Sequence, residues 1–152
     1  MALPNVFQEV VTAEIIARIE SLTPETPAKW GKMSVAQMLA HCNVTYEMLY
    51  EEKHPKPNAF VKFMLKTFVK NKVVNEKEYG HNGQTAPAFI IKETKDFDTE
   101  KARLLAYITK TQALGGSHFE GKESHSFGVL NQTEWNNMFF KHLNHHLNQF
   151  GV

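Results

Sequence analysis

Apolar residues recur every three or four positions along four long segments of the chain, the spacing that places them on one face of a helix. In the first segment they run from Val6 to Leu22, and Asn5 and Gln8 have the spacing of a capping box at its start. Thr23-Pro24 ends the segment, because a proline pushes the residue before it out of the helical region. The pattern therefore predicts a mainly helical fold.

Two further segments begin with clear helix-start signals. Ser34 can cap the second helix with Gln37 as its capping-box partner, and Asn131 can cap the last helix with Glu134 in the same role. The second helix is predicted to run to about Tyr50, because two closely spaced prolines follow it and break the helical pattern.

The remaining long helix is predicted to start at Asp98 and to stop near Gly115-Gly116. Roughly 45 residues separate it from the second helix, and a short apolar helix covers about Ala59–Val69 within them. These features predict one domain, residues 1–152, of the all-α class. It would be a four-helix bundle with a long crossover between its second and third helices that carries the short extra helix. The first two helices, joined by a short connection, are predicted to be antiparallel neighbours.

Composition excludes several classes of protein. The chain has 152 residues with 17 Lys and Arg against 16 Asp and Glu, a formal charge of +1, which argues against binding nucleic acid through clustered cations. Its single cysteine cannot form an internal disulfide, and no apolar run is long enough to cross a bilayer. The start of the chain lacks the pattern of a signal peptide. We therefore expect a cytoplasmic protein with neither a nucleic-acid nor a membrane partner.

Histidine is the unusual feature of the composition, since five of the eight histidines lie between His118 and His146. On the last predicted helix, Gln132 to Phe150, His142 and His146 fall on the apolar face one turn apart, whereas His145 points to the surface edge of the helix. Neutral imidazole is the commonest nitrogen ligand for zinc and similar ions. The spacing of His142 and His146 presents two nitrogens to one ion.

A third metal ligand has to come from another helix. His41 is the best candidate, because it lies at the margin of the apolar face of the second helix. Cys42, which projects about 100° away from it, is interpreted as a small core residue. Gln149 is either a hydrogen-bond partner of His146 or an exposed residue at the helix end. Core histidines paired with ordinary polar neighbours are the alternative to a metal site.

Three stretches of sequence carry a resemblance to a known family. Trp30-Gly-Lys-Met-Ser-Val-Ala-Gln-Met-Leu-Ala-His41 and His142-Leu-Asn-His-His146-Leu-Asn-Gln149 resemble the DinB/YfiT-like superfamily. His125-Ser-Phe-Gly-Val-Leu-Asn-Gln-Thr-Glu-Trp135 is similar to the loop entering the last helix in one branch, catalogued mainly as a domain of unknown function. The resemblance covers nearly the whole chain and implies an up-down-down-up order of four helices. It also implies a divalent ion held by His41, His142 and His146.

Three neutral histidines would leave such an ion with open positions for water or substrate, as in catalytic sites. Zinc and nickel both suit three imidazoles. The ion can lower the pKa of a bound water or bind a thiolate, and the resemblance implies a hydrolase or a thiol-dependent transferase. The expected partners are a small-molecule substrate and, in the second case, a low-molecular-weight thiol. A general base would come from elsewhere; His125 is a candidate, and a solvated loop histidine is its alternative interpretation.

Two other interpretations stay open. The chain can be a non-catalytic module with structural histidines that binds a small molecule or dimerises, since two-fold dimers are common among such domains. The segment from Lys53 to Lys72 interleaves six lysines with apolar residues, which suits a membrane surface or an anionic ligand. We expect this segment instead to cover the mouth of the bundle, with its lysines in water and its aromatic side chains lining a substrate pocket.

Overall fold

The computed structural model describes residues 1–152 and is mainly helical, which confirms that prediction. Its elements are α1 (Glu9–Glu20), α2 (Val35–Tyr50), α3 (Ala59–Phe68), α4 (Lys70–Val74), a 3-10 turn (Pro87–Phe89), α5 (Phe97–Leu114), α6 (Gly116–Phe119), β1 (Lys122–Ser124), β2 (Gly128–Leu130) and α7 (Gln132–Gln149). The two strands form a hairpin, which the all-α prediction lacks. None of the helices combines the length and the apolar composition that a membrane span requires.

The two helices that carry the candidate histidines begin at the predicted capping boxes. In α2 the Ser34 hydroxyl accepts a hydrogen bond from the Gln37 amide at 3.2 Å, and the Gln37 side chain accepts one from the Ser34 amide at 3.0 Å. Asn131 and Glu134 make the same reciprocal pair at the start of α7, at 2.9 and 3.0 Å. Both boxes satisfy amide groups that the first helical turn leaves without partners.

Helix α1 begins later than predicted. Its first residue is Glu9, and the residue before it makes no side-chain cap. The Asn5 side chain accepts a hydrogen bond from the Phe7 amide at 3.0 Å, and the Asn5 carbonyl accepts one from the Gln8 amide at 3.0 Å. These bonds close a turn ahead of the helix, as asparagine commonly does. The capping box predicted at Asn5 and Gln8 is therefore wrong, because Asn5 uses its oxygens in this turn.

Helix α5 begins at a different aspartate from the one predicted. The Asp96 carboxylate accepts a hydrogen bond from the Thr99 amide at 2.8 Å, so Asp96 is the cap and the predicted start at Asp98 is wrong. The two aspartates have the same capping chemistry, and the sequence alone does not distinguish them. The predicted end is confirmed, because Gly115 leaves the helix with a φ of 74°, a conformation that favours glycine.

Helices α1, α2, α5 and α7 share one hydrophobic core. Helix α1 packs mainly against α5 and α7, and α2 packs mainly against the same two helices. The prediction that α1 and α2 are direct neighbours is therefore wrong, since each meets the core through α5 and α7. Cys42 is 1% exposed and lies in this core, as predicted. The largest fully buried side chains of the core include Phe119, Phe139, Ile19, Met38, Leu39 and Leu104.

An ion-pair network ties the C-terminal half of α2 to α5. Glu47 Oε1 lies 2.5 Å from the Arg103 guanidinium, and Glu47 Oε2 lies 2.7 Å from His54 Nε2. Burial alone would raise the pKa of Glu47, but hydrogen bonds from Arg103, His54 and Lys53 outweigh it and lower the pKa to about 2. The carboxylate is therefore charged at neutral pH, and the end of α2 is held in place where the crossover begins.

The long crossover between α2 and α5, residues 51–96, is confirmed. It contains α3, α4 and the 3-10 turn Pro87–Phe89, so it carries more structure than the one short helix predicted. Its last part returns to α2, because the turn packs against that helix and the Gln37 side chain donates a hydrogen bond to the Glu93 carbonyl at 3.2 Å. This return places the turn beside His41.

Helix α3 faces the opposite way from the expected one. None of its residues is buried, and Phe60, Phe63 and Phe68 are 71%, 62% and 70% exposed. The expectation that its aromatic side chains line a pocket is therefore wrong. On the other face of the helix, Lys62 forms an ion pair with Glu123 of β1.

The hairpin lies in the loop that leads into α7. Lys122 pairs with Leu130, and Ser124 pairs with Gly128, in antiparallel register. The Ser124 hydroxyl donates a hydrogen bond to the Gly128 carbonyl at 2.8 Å and accepts one from the Phe127 amide at 2.9 Å. Strands of three residues are too short to show a recognisable alternation of apolar and polar side chains, so the sequence does not predict them.

The position of the α5 cap can be tested with two matched substitutions. Asp96→Ala removes the side chain that accepts the Thr99 amide, and we predict that it lowers the midpoint of thermal unfolding by about 2–4 °C. Asp98→Ala leaves that hydrogen bond intact and should have a smaller effect. Circular dichroism melts of both variants measure the difference. A larger loss in Asp98→Ala would place the cap where the sequence predicted it.

Candidate metal centre

The structure brings together the three histidines that the sequence singles out. His41 comes from the middle of α2, and His142 and His146 come from successive turns of α7. One nitrogen of each ring lies within 4.8 Å of the corresponding nitrogens of the other two. His41 and His146 are 5% and 7% exposed. The geometry therefore offers three converging donors, and ion binding at them stays a prediction.

The orientation of the His41 ring is set by the crossover. His41 Nδ1 lies 2.8 Å from the carbonyl oxygen of Phe89, and the Phe89 ring packs edge-on against it. Because a carbonyl oxygen only accepts hydrogen bonds, Nδ1 must carry the proton and donate it. In the neutral ring Nε2 then has a free lone pair, which is the form that binds a metal.

The His146 ring is oriented in the same way by Gln149. Its Nδ1 lies 2.7 Å from Gln149 Oε1, and Gln149 Nε2 donates a hydrogen bond to the Trp30 carbonyl at 2.9 Å. The Trp30 carbonyl needs a donor, so it fixes which end of the amide faces His146. His146 therefore donates through Nδ1 and keeps a lone pair on Nε2. Of the two interpretations of Gln149, the hydrogen-bond partner is confirmed.

The residue after Trp30 has to be glycine for this contact to form. A Cβ atom at Gly31 would lie 2.6 Å from Gln149 Nε2, closer than side chains approach one another, and Gly31 has a φ of +83°. Both the conformation and the space thus favour glycine. The connection between α1 and α2 accordingly forms one wall around the amide that orients His146.

His142 completes the trio through a partner that can both donate and accept. Its Nδ1 lies 3.1 Å from the Thr45 hydroxyl, and its Nε2 lies 2.9 Å from His41 Nε2. When Thr45 accepts from Nδ1, all three Nε2 atoms have free lone pairs. When Thr45 donates to Nδ1, His142 Nε2 carries a proton that it can donate to His41. The rotation of one hydroxyl thus accommodates both states of the ring.

The fit of a metal ion can be judged from the spacing of the nitrogens. Two nitrogens bound at 2.0–2.1 Å to a tetrahedral ion are about 3.3 Å apart. The Nε2 atoms of His41 and His142 are 2.9 Å apart, so the rings would have to separate by about 0.4 Å. A pair of donor nitrogens at the 4.8 Å limit would have to approach by about 1.5 Å. The donor chemistry of the three residues fits a divalent ion, and the rings would have to move to coordinate it.

Burial keeps all three rings neutral. It lowers the pKa of His41, lowers that of His142 well below its usual value, and lowers that of His146 to about 3. For His142 and His146, repulsion from the other histidines adds to the effect of burial. Because only neutral imidazole binds a metal, the site favours the form of the ring that metal binding requires.

A second group of aromatic rings lies beside the trio. Trp30 and His81 stack with ring centroids 3.7 Å apart, and His145 contacts both Trp30 and His146. His145 is half-buried among these rings, so the prediction of a surface-edge position is only partly right. A cleft of about 60 Å³ lies among Trp30, Tyr79, His81 and His145, and the His145 ring separates it from the trio.

Residues 7–151 match a family described as "Protein of unknown function (DUF1569)". The chain belongs to this family. The match includes α2, α7 and the hairpin loop, and thus all three histidines of the candidate site. No curated protein and no solved structure matches the chain. Family membership alone assigns no activity, and the function has to be argued from the geometry.

His125, the candidate general base, lies at the tip of the hairpin, between β1 and β2. Its Nε2 lies 3.1 Å from the His54 carbonyl, and its Nδ1 lies 2.8 Å from the Ser126 hydroxyl. Both nitrogens are engaged with the start of the crossover and with the hairpin itself. A role as general base stays a prediction, and these contacts supply a structural role.

Three features that orient the three histidines were not predicted. They are the Thr45 hydroxyl, the Phe89 carbonyl and the absence of a side chain at Gly31, which lets Gln149 approach. Thr45 lies one turn after His41 on the same face of α2, so the sequence did contain a signal for it. A backbone carbonyl leaves no such signal, because any residue can supply one. The close approach at Gly31 depends on residues distant in sequence and likewise leaves none.

Lowering the pH should destabilise the metal-free protein through these rings. Their folded-state pKa values lie below the unfolded value of about 6.5, so the unfolded chain binds more protons below that pH and stability falls as the pH falls. We predict a loss of about 1 kcal/mol per buried ring between pH 7 and pH 5.5, measured by urea unfolding with EDTA present.

The control for this pH prediction is a variant without two of the rings. His142→Asn/His146→Asn should lose less stability over the same range, whereas His118→Asn, at an exposed position, should behave as the wild type does. Glu47 does not disturb the comparison, because its effect begins only below its unfolded pKa of 4.5. Equal pH dependence in all three proteins would show that the rings are not held neutral by burial.

Proposed function

We propose that the chain binds one divalent metal ion through the Nε2 atoms of His41, His142 and His146, and uses it to act on a small molecule. The observation that carries the proposal is that each Nδ1 has its own polar partner while the opposite nitrogens converge. Histidines that bind metals in proteins are usually oriented in this way. The burial that keeps the rings neutral supports the same role.

The donor set limits the chemistry of such an ion. Three imidazoles carry no charge, so a divalent ion would keep its +2 charge and positions for further ligands. It can then lower the pKa of a bound water or bind a thiolate, which supports either a hydrolase or a thiol-dependent transferase. The partner in the second case would be a low-molecular-weight thiol. Zinc and nickel are the proposed ions, because both suit three imidazoles.

For the chain as a whole we propose the DinB/YfiT-type four-helix bundle with an up-down-down-up order of its helices. Its support is the core shared by α1, α2, α5 and α7, together with the long crossover between α2 and α5. The resemblance in sequence implies one histidine from the second long helix and two from the last. His41 on α2, with His142 and His146 on α7, occupies those positions.

A structural role for the histidines is the second candidate function, and one distance favours it. His41 Nε2 and His142 Nε2 are 2.9 Å apart, within reach of a hydrogen bond, and Thr45 can donate to the other nitrogen of His142. In that arrangement these two rings are satisfied without an ion. The chain would then be a non-catalytic module that binds a small molecule or dimerises.

Metal content separates the two functions. We predict about one divalent ion per chain after the untagged protein is offered zinc or nickel and dialysed, because three converging neutral donors bind such ions tightly. His142→Ala should lose the ion. His118→Ala, which removes an exposed histidine elsewhere, should retain it. Elemental analysis of the three proteins gives the result.

The stability of the same samples provides a check on folding. An ion bound only by the folded state raises the melting temperature, and at 100 times its dissociation constant it adds about 2.7 kcal/mol. EDTA should therefore lower the melting temperature of the wild type and of His118→Ala but not that of His142→Ala. A folded wild type that takes up neither metal, with a melt that EDTA leaves unchanged, would reject the metal site in favour of structural histidines.

The amide that orients His146 can be tested separately. Gln149→Leu keeps a similar volume but leaves His146 Nδ1 and the Trp30 carbonyl without their partner. We predict that it weakens zinc affinity by roughly 10–100-fold, the usual effect of losing a group that orders a ligand. Competition with a chromophoric chelator measures this affinity.

The matched control is Gln84→Leu, which makes the same change at an exposed position of the crossover. Its zinc affinity should equal that of the wild type. If Gln149→Leu binds zinc within about twofold of the wild type while remaining folded, orientation by Gln149 is not part of the site.

A further inference from the structure

One face of α3 is an apolar stripe that lies outside the hydrophobic core. Phe60, Phe63, Met64 and Phe68 are 71%, 62%, 39% and 70% exposed. They stand at positions i, i+3, i+4 and i+8, which lie along one side of a helix. Exposed apolar patches of this kind mark surfaces that bind another molecule or a membrane.

Ion pairs join α3 and the following helix α4 to the hairpin and to the start of α7. Lys62 pairs with Glu123 of the hairpin, and the Lys70 ammonium lies 2.8 Å from Glu134 at the start of α7. The aliphatic part of Lys66, between them, lies over the hairpin, where a Cβ at Gly128 would be 3.8 Å from its Cδ. Lys62 and Lys66 of α3 thus lie toward the hairpin, whereas the aromatic side chains of the stripe face solvent.

The segment that carries the stripe is rich in lysine. Residues 53–75 contain six lysines and no aspartate or glutamate. Lys56, Lys66 and Lys72 are exposed and make no ion pair with a carboxylate of the chain. The surface thus combines exposed aromatic side chains with cations that have no acidic partner.

We propose that α3 docks on the surface of an anionic lipid bilayer. Phe60, Phe63 and Phe68 would enter the boundary between headgroups and acyl chains, and Lys56 and Lys72 would contact the headgroup phosphates and carboxylates. Lysine stems lie along the boundary with their ammonium groups in water. This proposal departs from the expectation of no membrane partner, because the aromatic side chains expected to pack inward are exposed.

The charge also argues against a second copy of the chain as the occupant. A symmetric contact through α3 would bring two lysine-rich segments together, and each keeps three lysines that pair with no carboxylate. An anionic bilayer has the opposite charge and an apolar interior, so it complements both parts of the surface. The docking is peripheral, since no helix is long and apolar enough to span a membrane.

Co-sedimentation of the full chain with vesicles tests the proposal. We expect binding to vesicles of phosphatidylcholine with one-third phosphatidylserine, little binding to pure phosphatidylcholine, and weaker binding at high salt because salt screens the lysines. Phe60→Ser/Phe68→Ser should reduce the partition coefficient at least about tenfold, because it removes two side chains that would be buried in the bilayer. Lys56→Gln/Lys72→Gln should reduce it and weaken the salt dependence.

The matched control is Val10→Ser, which replaces an apolar residue of α1 that is 63% exposed but lies outside the stripe, and it should bind as the wild type does. The four substituted positions, Phe60, Phe68, Lys56 and Lys72, are all exposed. The melting temperatures of the phenylalanine and lysine variants should therefore equal that of the wild type. Absence of wild-type binding at low salt, or equal binding by Phe60→Ser/Phe68→Ser, would overturn the proposal. A wild-type dimer that the phenylalanine variant dissolves, with no vesicle binding, would assign the stripe to a second copy.

Discussion

The candidate site depends on three hydrogen bonds that hold the Nδ1 side of each imidazole. Their partners are the Phe89 carbonyl, the Thr45 hydroxyl and the Gln149 amide, which belong to the crossover, α2 and α7. The packing of α2 against α7 brings the three rings together, and the crossover that folds back onto α2 orients one of them, His41. The site is therefore a product of the whole fold rather than of the paired histidines on one helix.

The same hydrogen bonds explain how the rings are satisfied with or without an ion. Phe89 and Gln149 can only accept from their rings, so His41 and His146 each keep a lone pair facing the centre. Thr45 alone can reverse its hydrogen bond, and it contacts the ring whose Nε2 lies 2.9 Å from that of His41. Burial supports both states, since neither requires a charged imidazole. With the proton of His142 on Nδ1, its Nε2 can bind an ion. With the proton on Nε2, that nitrogen can instead donate a hydrogen bond to His41.

The sequence predicted part of what depends on local chemistry and missed what depends on distant contacts. The capping boxes at Ser34 and Asn131, and the inward positions of the histidines, follow from spacing within single helices. The Phe89 carbonyl and the space at Gly31 come from segments far from the rings in sequence. The exposure of the α3 aromatic side chains was also missed, because a helical repeat of apolar residues does not show whether that face packs on the core.

X-ray absorption at the zinc edge tests the central claim most directly, because it counts the imidazoles bound to the ion. The zinc-loaded wild type should show three imidazole nitrogens at about 2.0–2.1 Å, and the remaining ligands should be oxygen donors supplied by solvent. Zinc bound by fewer than three imidazoles would contradict convergence of His41, His142 and His146 on one ion. So would a folded protein that retains no zinc to measure.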